Sequence, residues 1–215
     1  RGWDGTMIRE RPEPLILHTW MRELQVALFS DWPVEQTGVR GTERPEILLA
    51  ALDGRSAFCR DRLGGCETLI ARALSAALDG LTSRYGADMA QWQWSRAHRA
   101  PFRHLLFDRL PVLRDWLAMG VPTNGDIYTV SRGAWRSGQS GEPFAHVHGA
   151  GYRAIYDLAD LTQSRFMVTP GQSGHPLSRH WNDLTSPWSN GQHFTLAGDR
   201  AGLAAQGRTL RLEPR

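Results

Sequence analysis

Histidine is the residue type with the most chemical reach in this sequence. His146 and His148 form an H-x-H pair, and His175 and His180 follow farther along the chain. On a strand, that two-residue spacing puts both rings on one face, an arrangement used by zinc and copper sites. No Asp, Glu or Cys stands at the short spacing that would complete such a set, and Gly149 marks a bend. Two hydrogen-bonded histidines beside a turn are therefore expected, and no metal. The run Gly171-Gln172-Ser173-Gly174-His175-Pro176 places a serine between glycines with a histidine beside it. A nucleophile elbow needs G-x-S-x-G, and the fifth position here is His175. A phosphate loop would need a lysine and a different glycine spacing. The run reads as a tight polar loop. Trp92-Gln93-Trp94 reads as a core or interface anchor, because indole rings are rarely left without partners.

These residues need elements to hold them. Residues 12–32 carry Leu17, Trp20, Met21, Leu24 and Leu28 at helical spacing after Pro12 and Glu13, and Pro33 stops the run. Pro45 to Leu52 reads as a short helix closed by Asp53-Gly54, and Gln36 to Thr42 as the nearest thing to a linker. Residues 65–84 form the clearest helix. Cys66, Leu69, Ile70, Ala73, Leu74, Ala77, Leu78 and Leu81 make one apolar stripe, and Gly86 is placed to end it. A further helix is expected from Leu110 to Met119. After residue 122 the period changes: Ile127–Val130, Gly151–Leu158, Arg165–Thr169 and residues 208–213 read as strands between Gly-, Ser- and Pro-rich loops. The expected class is α+β, with a mainly helical segment 1–121 followed by an antiparallel strand-rich segment 122–215.

The composition limits the alternatives. With 215 residues, 41% hydrophobic and 22% charged, the chain is long enough for a real core. No apolar run approaches the roughly 18 residues of a spanning helix, so no membrane partner is expected. All 25 basic residues are Arg, yet they are scattered rather than clustered, and the net charge is only +3. Nucleic-acid binding is therefore not expected. Cys59 and Cys66 are the only cysteines, and their separation neither requires nor excludes a bridge. The chain opens Arg1-Gly2-Trp3-Asp4-Gly5 without an initiator Met, which reads as a processed or excised product.

Taken in order, several motifs resemble the penicillin acylase (penicillin amidase) family. They are Trp3-Asp4-Gly5, then Arg11-Pro12-Glu13-Pro14-Leu15-Ile16, then Trp20-Met21-Arg22-Glu23-Leu24. Trp92-x-Trp94-Ser95-x-x-His98-x-x-x-Phe102-x-His104 follows, then His148-Gly149-Ala150-Gly151-Tyr152-Arg153. Asp157-Leu158-Ala159-Asp160 and Pro170 to Ser178 continue the series. The resemblance runs from Trp3 to the Arg211-Leu212-Glu213-Pro214 tail and matches the C-terminal part of the family's β-chain.

The resemblance implies a fragment of the four-layer αββα fold of N-terminal-nucleophile hydrolases. In such enzymes a precursor cleaves itself, the first residue of the β-chain is the nucleophile, and its own α-amino group is the base. An oxyanion hole stabilises the tetrahedral intermediate. The nucleophile, the oxyanion donors and the calcium ligands would all lie upstream, so no catalytic residue and no cofactor is expected within this chain. The implied partners are the remainder of the β-chain and the α-chain of the same precursor, and an acyl-amide substrate for the parent; the implied location is periplasmic or secreted. His146, His148 and Arg153 are the candidates for supporting the active-site region. In some relatives a carboxylate precedes H-G-A where this chain has His146, and several have Gly where it has Ser95. A reading of another class is a non-catalytic interaction or assembly module, suggested by the nine Trp and by strands left without neighbours.

Overall fold

In the computed structural model, residues 2–30, 44–60, 64–136, 142–195, 201–202, 204 and 210–213 are described. Their contacts fall into two units that interleave in sequence: 1–103 with 118–149, and 104–117 with 150–215. The change of composition near residue 122 lies inside the first of these.

The first unit is built on α1 (Glu13–Leu28), α2 (Pro45–Leu52) and α3 (Cys66–Tyr85). Pro14 and Glu13 suit the first turn of α1, where a missing N–H costs nothing and a carboxylate meets the helix dipole. Gly86 follows α3 at φ +90°, a conformation that side chains resist, and its N–H closes the helix onto Thr82 O at 2.9 Å. The apolar stripe of α3 packs against α1, with Leu24, Leu28, Leu48, Ala51, Leu69 and Ala73 buried together around a Cys59–Cys66 disulfide. Each fully buried Leu there contributes roughly 1.5–3 kcal/mol. A second cluster gathers Leu15, Leu81, Trp92, Trp94, Ala97, Trp135 and Phe144.

The short helix α4 (Trp94–Ala97) leads into β1 (Arg99–Phe102), which pairs antiparallel with β2 (Met119–Pro122) in the register Arg99 to Pro122. β3 (Gly133–Ala134) pairs antiparallel with β4 (His148–Gly149). The N-terminal segment is tied in by main-chain bonds: Trp94 N–H to Arg11 O at 3.0 Å, and Gly125 N–H to Met7 O at 2.8 Å.

In the second unit, α5 (Pro111–Leu117) follows a 3-10 turn at Phe107–Arg109. β5 (Tyr152–Ile155), β6 (Arg165–Val168) and β7 (Phe194–Thr195) form an antiparallel sheet in that order, and α6 (Thr185–Ser189) carries the buried Trp188. Met167 is buried opposite Arg153 in the β5–β6 register. The mixed helical and antiparallel α+β class expected from the sequence is the one observed.

Several element expectations need correction. Ile127–Val130 is a series of bends, because the Asp126 carboxylate accepts the N–H groups of Tyr128 and Thr129, both at 2.8 Å, and so curls the backbone. The strand expected over Gly151–Leu158 is only Tyr152–Ile155. It ends where Asp157 N–H turns to Ser164 Oγ and the Asp157 carboxylate takes the N–H groups of Ala159 and Asp160. The helix expected to Met119 stops at Leu117, since Met119 enters β2. Residues 210–213 carry no strand, and 208–209 lie outside the described residues, as do Pro33 and the linker Gln36–Thr42.

Candidate functional site

The polar residues buried most deeply in the first unit form one assembly around Trp94. Four rings stack in a column: His18 on Trp94 at 5.3 Å, Trp94 on His98 at 4.5 Å, and His98 on His146 at 5.3 Å between centroids. Trp135 stands edge-on to His18, Trp94 and His98, at 4.7, 5.9 and 5.9 Å. Such offset-stacked and edge-to-face pairs each add about 0.5–1.5 kcal/mol beyond their buried area. Trp94 satisfies its indole N–H on Gly125 O at 2.9 Å.

Each histidine in the column has a defined bond. His18 Nε2 meets Asp126 Oδ2 at 3.2 Å, with both side chains at most 2% exposed. His146 Nδ1 lies 3.0 Å from Thr123 Oγ1. His98 donates its Nδ1–H to Phe144 O at 2.8 Å, while its Nε2 is buried without a hydrogen-bond partner. Burial pushes the His98 imidazole down to about 3, against the lift from Phe144 O and with help from its histidine neighbours, so it stays neutral. Burial also raises the Asp126 carboxyl, but the bond from His18 and the N–H groups of Tyr128 and Thr129 outweigh it and hold the group below its ordinary value.

Glycine makes room for the column. Gly133 and Gly149 face each other across the β3–β4 ladder. A Cβ on Gly133 would sit 2.5 Å from His98 Nε2 and 2.9 Å from His146 Nδ1. On Gly149 it would sit 2.1 Å from His146 Nε2. The glycines of Arg132-Gly133-Ala134-Trp135 and His148-Gly149-Ala150 thus let two strands close directly over imidazole edges.

The residues singled out from the sequence come to different places. His146 is buried in the column, ahead of the strand, whereas His148 is exposed in β4; the H-x-H pair does not present two rings on one face. Arg153, in the second unit, is half-buried, donates to Trp188 O at 3.0 Å and lies 4.3 Å above the Trp188 ring. Desolvation lowers its guanidinium from the ordinary value. In the Gly171–Pro176 loop, Ser173 Oγ accepts His175 N–H and His175 Nδ1 accepts Leu177 N–H. The His175 Nδ1 lone pair is thus taken up by a main-chain N–H, and Ser173 Oγ by the N–H of His175 itself. His180 pairs through Nδ1 with Asp183 at 2.8 Å, and its Nε2 accepts Arg179 Nε–H at 2.9 Å. Among the described residues no three His, Cys, Asp or Glu side chains converge as a metal-ligand set.

Sequence reasoning missed His18, Asp126 and the role of His98. A signal existed for His18: it stands three residues after Leu15 and seven before Gln25, all on the buried face of α1. The column closes no reacting set. It is a filled core, with a neutral His98 and an Asp126 carboxylate held against His18, whose work is to hold α1, α4 and the β3–β4 ladder in place.

The profile of the penicillin amidase family matches residues 1–205. The chain belongs to the penicillin amidase family. It is 31% identical over 134 residues to the acyl-homoserine lactone acylase QuiP of Pseudomonas putida, a match covering 60% of this chain and 15% of that protein. It is 32% identical over 128 residues to the penicillin acylase 2 proenzyme of a Pseudomonas species, covering 58% of this chain and 15% of that protein. The thermostable penicillin G acylase of Alcaligenes faecalis aligns with 95% of this chain and 39% of its own, at 16% identity and a TM-score of 0.46. The matched part of this penicillin amidase family chain spans 15% of the length of these two curated relatives. The family resemblance carried by the sequence motifs is thus borne out.

Proposed function

We propose that this chain is the C-terminal portion of the β-chain of a penicillin-amidase-type amidohydrolase, whose parent hydrolyses an acyl amide to a carboxylic acid and an amine through an acyl-enzyme. The observation that carries this reading is the family match across residues 1–205. Two things support it: the relatives bear acylase names, and the matched portion is a small part of each. The parent would be an N-terminal-nucleophile hydrolase matured by self-cleavage. Its nucleophile, oxyanion donors and any calcium ligands would lie in the portion upstream of these residues. His146 and Arg153 then act as scaffold, and the 215-residue chain alone is expected to have no turnover. Its partners are the rest of the β-chain and the α-chain.

An exported location, periplasmic or secreted, belongs to the same proposal. The Cys59–Cys66 disulfide supports it, because such bonds persist in oxidising compartments.

The test is hydrolysis of chromogenic acyl amides by the full-length gene product and by this chain, with intact mass and N-terminal sequencing of the former. Turnover by the two-chain product, with a β-chain starting at Ser, Thr or Cys and containing these residues, is the expected result. Turnover by the 215-residue chain above a boiled control, or none by the full-length product across aromatic, dicarboxylic and long aliphatic acyl groups, would overturn the reading.

A further inference from the structure

The second unit turns large apolar side chains outward. In the segment 104–117, Leu105 is 86% exposed, Leu106 66%, Leu110 53%, Val112 82% and Trp116 65%, and Leu177 in the facing loop is 78% exposed. On α5, Val112 and Trp116 lie four residues apart on one face, and Leu113 and Leu117 on the adjoining one. Only Leu117 of these four is buried. Between helix and loop runs a groove of about 260 Å³ lined by Phe107, Leu113, Trp116, Leu117, Pro176 and Leu177.

The segment is held firmly in this position. His104 stacks on Phe107 at 4.4 Å and on Trp181 at 5.4 Å. Its Nδ1 accepts the N–H groups of Leu106 and Phe107, at 3.1 and 3.2 Å, and its Nε2 lies 3.3 Å from Gly174 O. One imidazole therefore pins the start of the segment to the loop that ends in Leu177. The outward leucines stand on an anchored scaffold.

We propose that this face is the seat of the remaining polypeptide of the parent amidase, which covers it with an apolar surface of its own. The inference rests on the functional reading above and adds to it the place of contact. Weighted by exposure, the six outward side chains of the segment and its facing loop together leave on the order of 700 Å² of apolar surface in water, with Trp116 and Leu177 meeting at the groove. That is close to the about 800 Å² that each side gives to a standard protein interface. The relatives supply the occupant, since 134 matched residues are 15% of the length of one of them and most of such a protein lies outside a chain of 215 residues. A second copy would have to be self-complementary about a two-fold axis, a demand that an intramolecular contact does not make.

Thiol labelling tests the seat directly. Cys59 and Cys66, the chain's only cysteines, are bonded to each other, so Leu177→Cys or Val112→Cys adds a single free thiol to the chain. Each variant is made in the 215-residue chain and in the full-length product, and maleimide uptake at that peptide is followed by mass spectrometry. Both sites are highly exposed, and an unchanged near-ultraviolet circular dichroism spectrum of the chain shows that folding is intact. The expected result is fast labelling in the chain and labelling slower by at least about 10-fold in the full-length product. Equal rates in the two would overturn the proposal. So would protection in the isolated chain that disappears on dilution, which would make a second copy the occupant. Acyl-amide hydrolysis, read in parallel on the full-length product, separates the two ideas: protection without hydrolysis sinks the enzyme reading alone, and hydrolysis with equal labelling sinks only the seat.

Discussion

Acidification should weaken the first unit through His98, by an amount the column sets. In the folded chain this imidazole is pushed from its ordinary 6.5 down to about 3. The unfolded chain takes up a proton below about pH 6.5 while the folded one does not. The stabilisation is therefore complete above 6.5, falls as pH drops through the window, and is exhausted near 3. At 1.36 kcal/mol per pH unit, the loss attributable to His98 is about 2 kcal/mol at pH 5 and about 5 kcal/mol at the bottom of the window. His98→Asn keeps a donor for Phe144 O and removes the titration. It costs about 1–3 kcal/mol for the lost ring at neutral pH, but flattens the dependence, so that toward pH 3 the variant becomes the more stable of the two. Urea unfolding at pH 7 and pH 5, followed by the near-ultraviolet signal of the buried tryptophans, gives the double difference directly. The wild type should lose about 2 kcal/mol more than His98→Asn between the two values. Equal losses, or a His98 ring proton that titrates near 6.5 by NMR in the folded chain, would refute the reasoning.

Other perturbations follow from the same geometry. Gly133→Ala and Gly149→Ala should each destabilise by about 1–3 kcal/mol or more, because the added carbon meets His98 or His146 inside contact distance. Gly80→Ala, on α3 with open space around it, should instead raise the melting temperature slightly, in keeping with a helix gain of about 0.5–1 kcal/mol. Asp126→Ala removes the buried carboxylate that meets His18 Nε2 and the N–H groups of Tyr128 and Thr129, and should cost about 3–5 kcal/mol in chemical denaturation. Reduction of Cys59–Cys66, which closes a short loop, should cost about 2–3 kcal/mol, seen as a lower urea midpoint with reductant than without.

What the sequence made legible was local. The α2 and α3 boundaries agree within a residue, because a continuous apolar stripe, a proline start and a glycine end are near-neighbour signals. The β1–β2 hairpin was missed because its strands are separated by a segment belonging to the other unit, so no turn marks the pairing. Ile127–Val130 has strand-forming side chains, yet one carboxylate one residue earlier bends them. The ring column was illegible for a related reason. His18, His98 and His146 lie far apart in sequence, and polar residues on buried faces declare themselves only once their partners arrive. The sequence did expose His146 and His148 as a pair, but Gly149, read there as a bend, lies in β4 opposite Gly133, and the depth of His146 belongs to that ladder and could not be read from spacing.

The interleaving of the two units also governs the order in which this polypeptide can fold during synthesis. Arg9 N–H waits for Asn124 Oδ1, and His18 for Asp126, more than a hundred residues later. Segment 104–117 emerges before the first unit is complete, but its own partners begin only at residue 150. A ribosome delivering this chain from its N-terminus therefore exposes Leu15, Trp92 and Trp94 without Trp135 and Phe144 to cover them, and loop closure of this length is slow. Folding concentrates late in translation, and a nascent chain with open apolar faces is a natural client for holding chaperones.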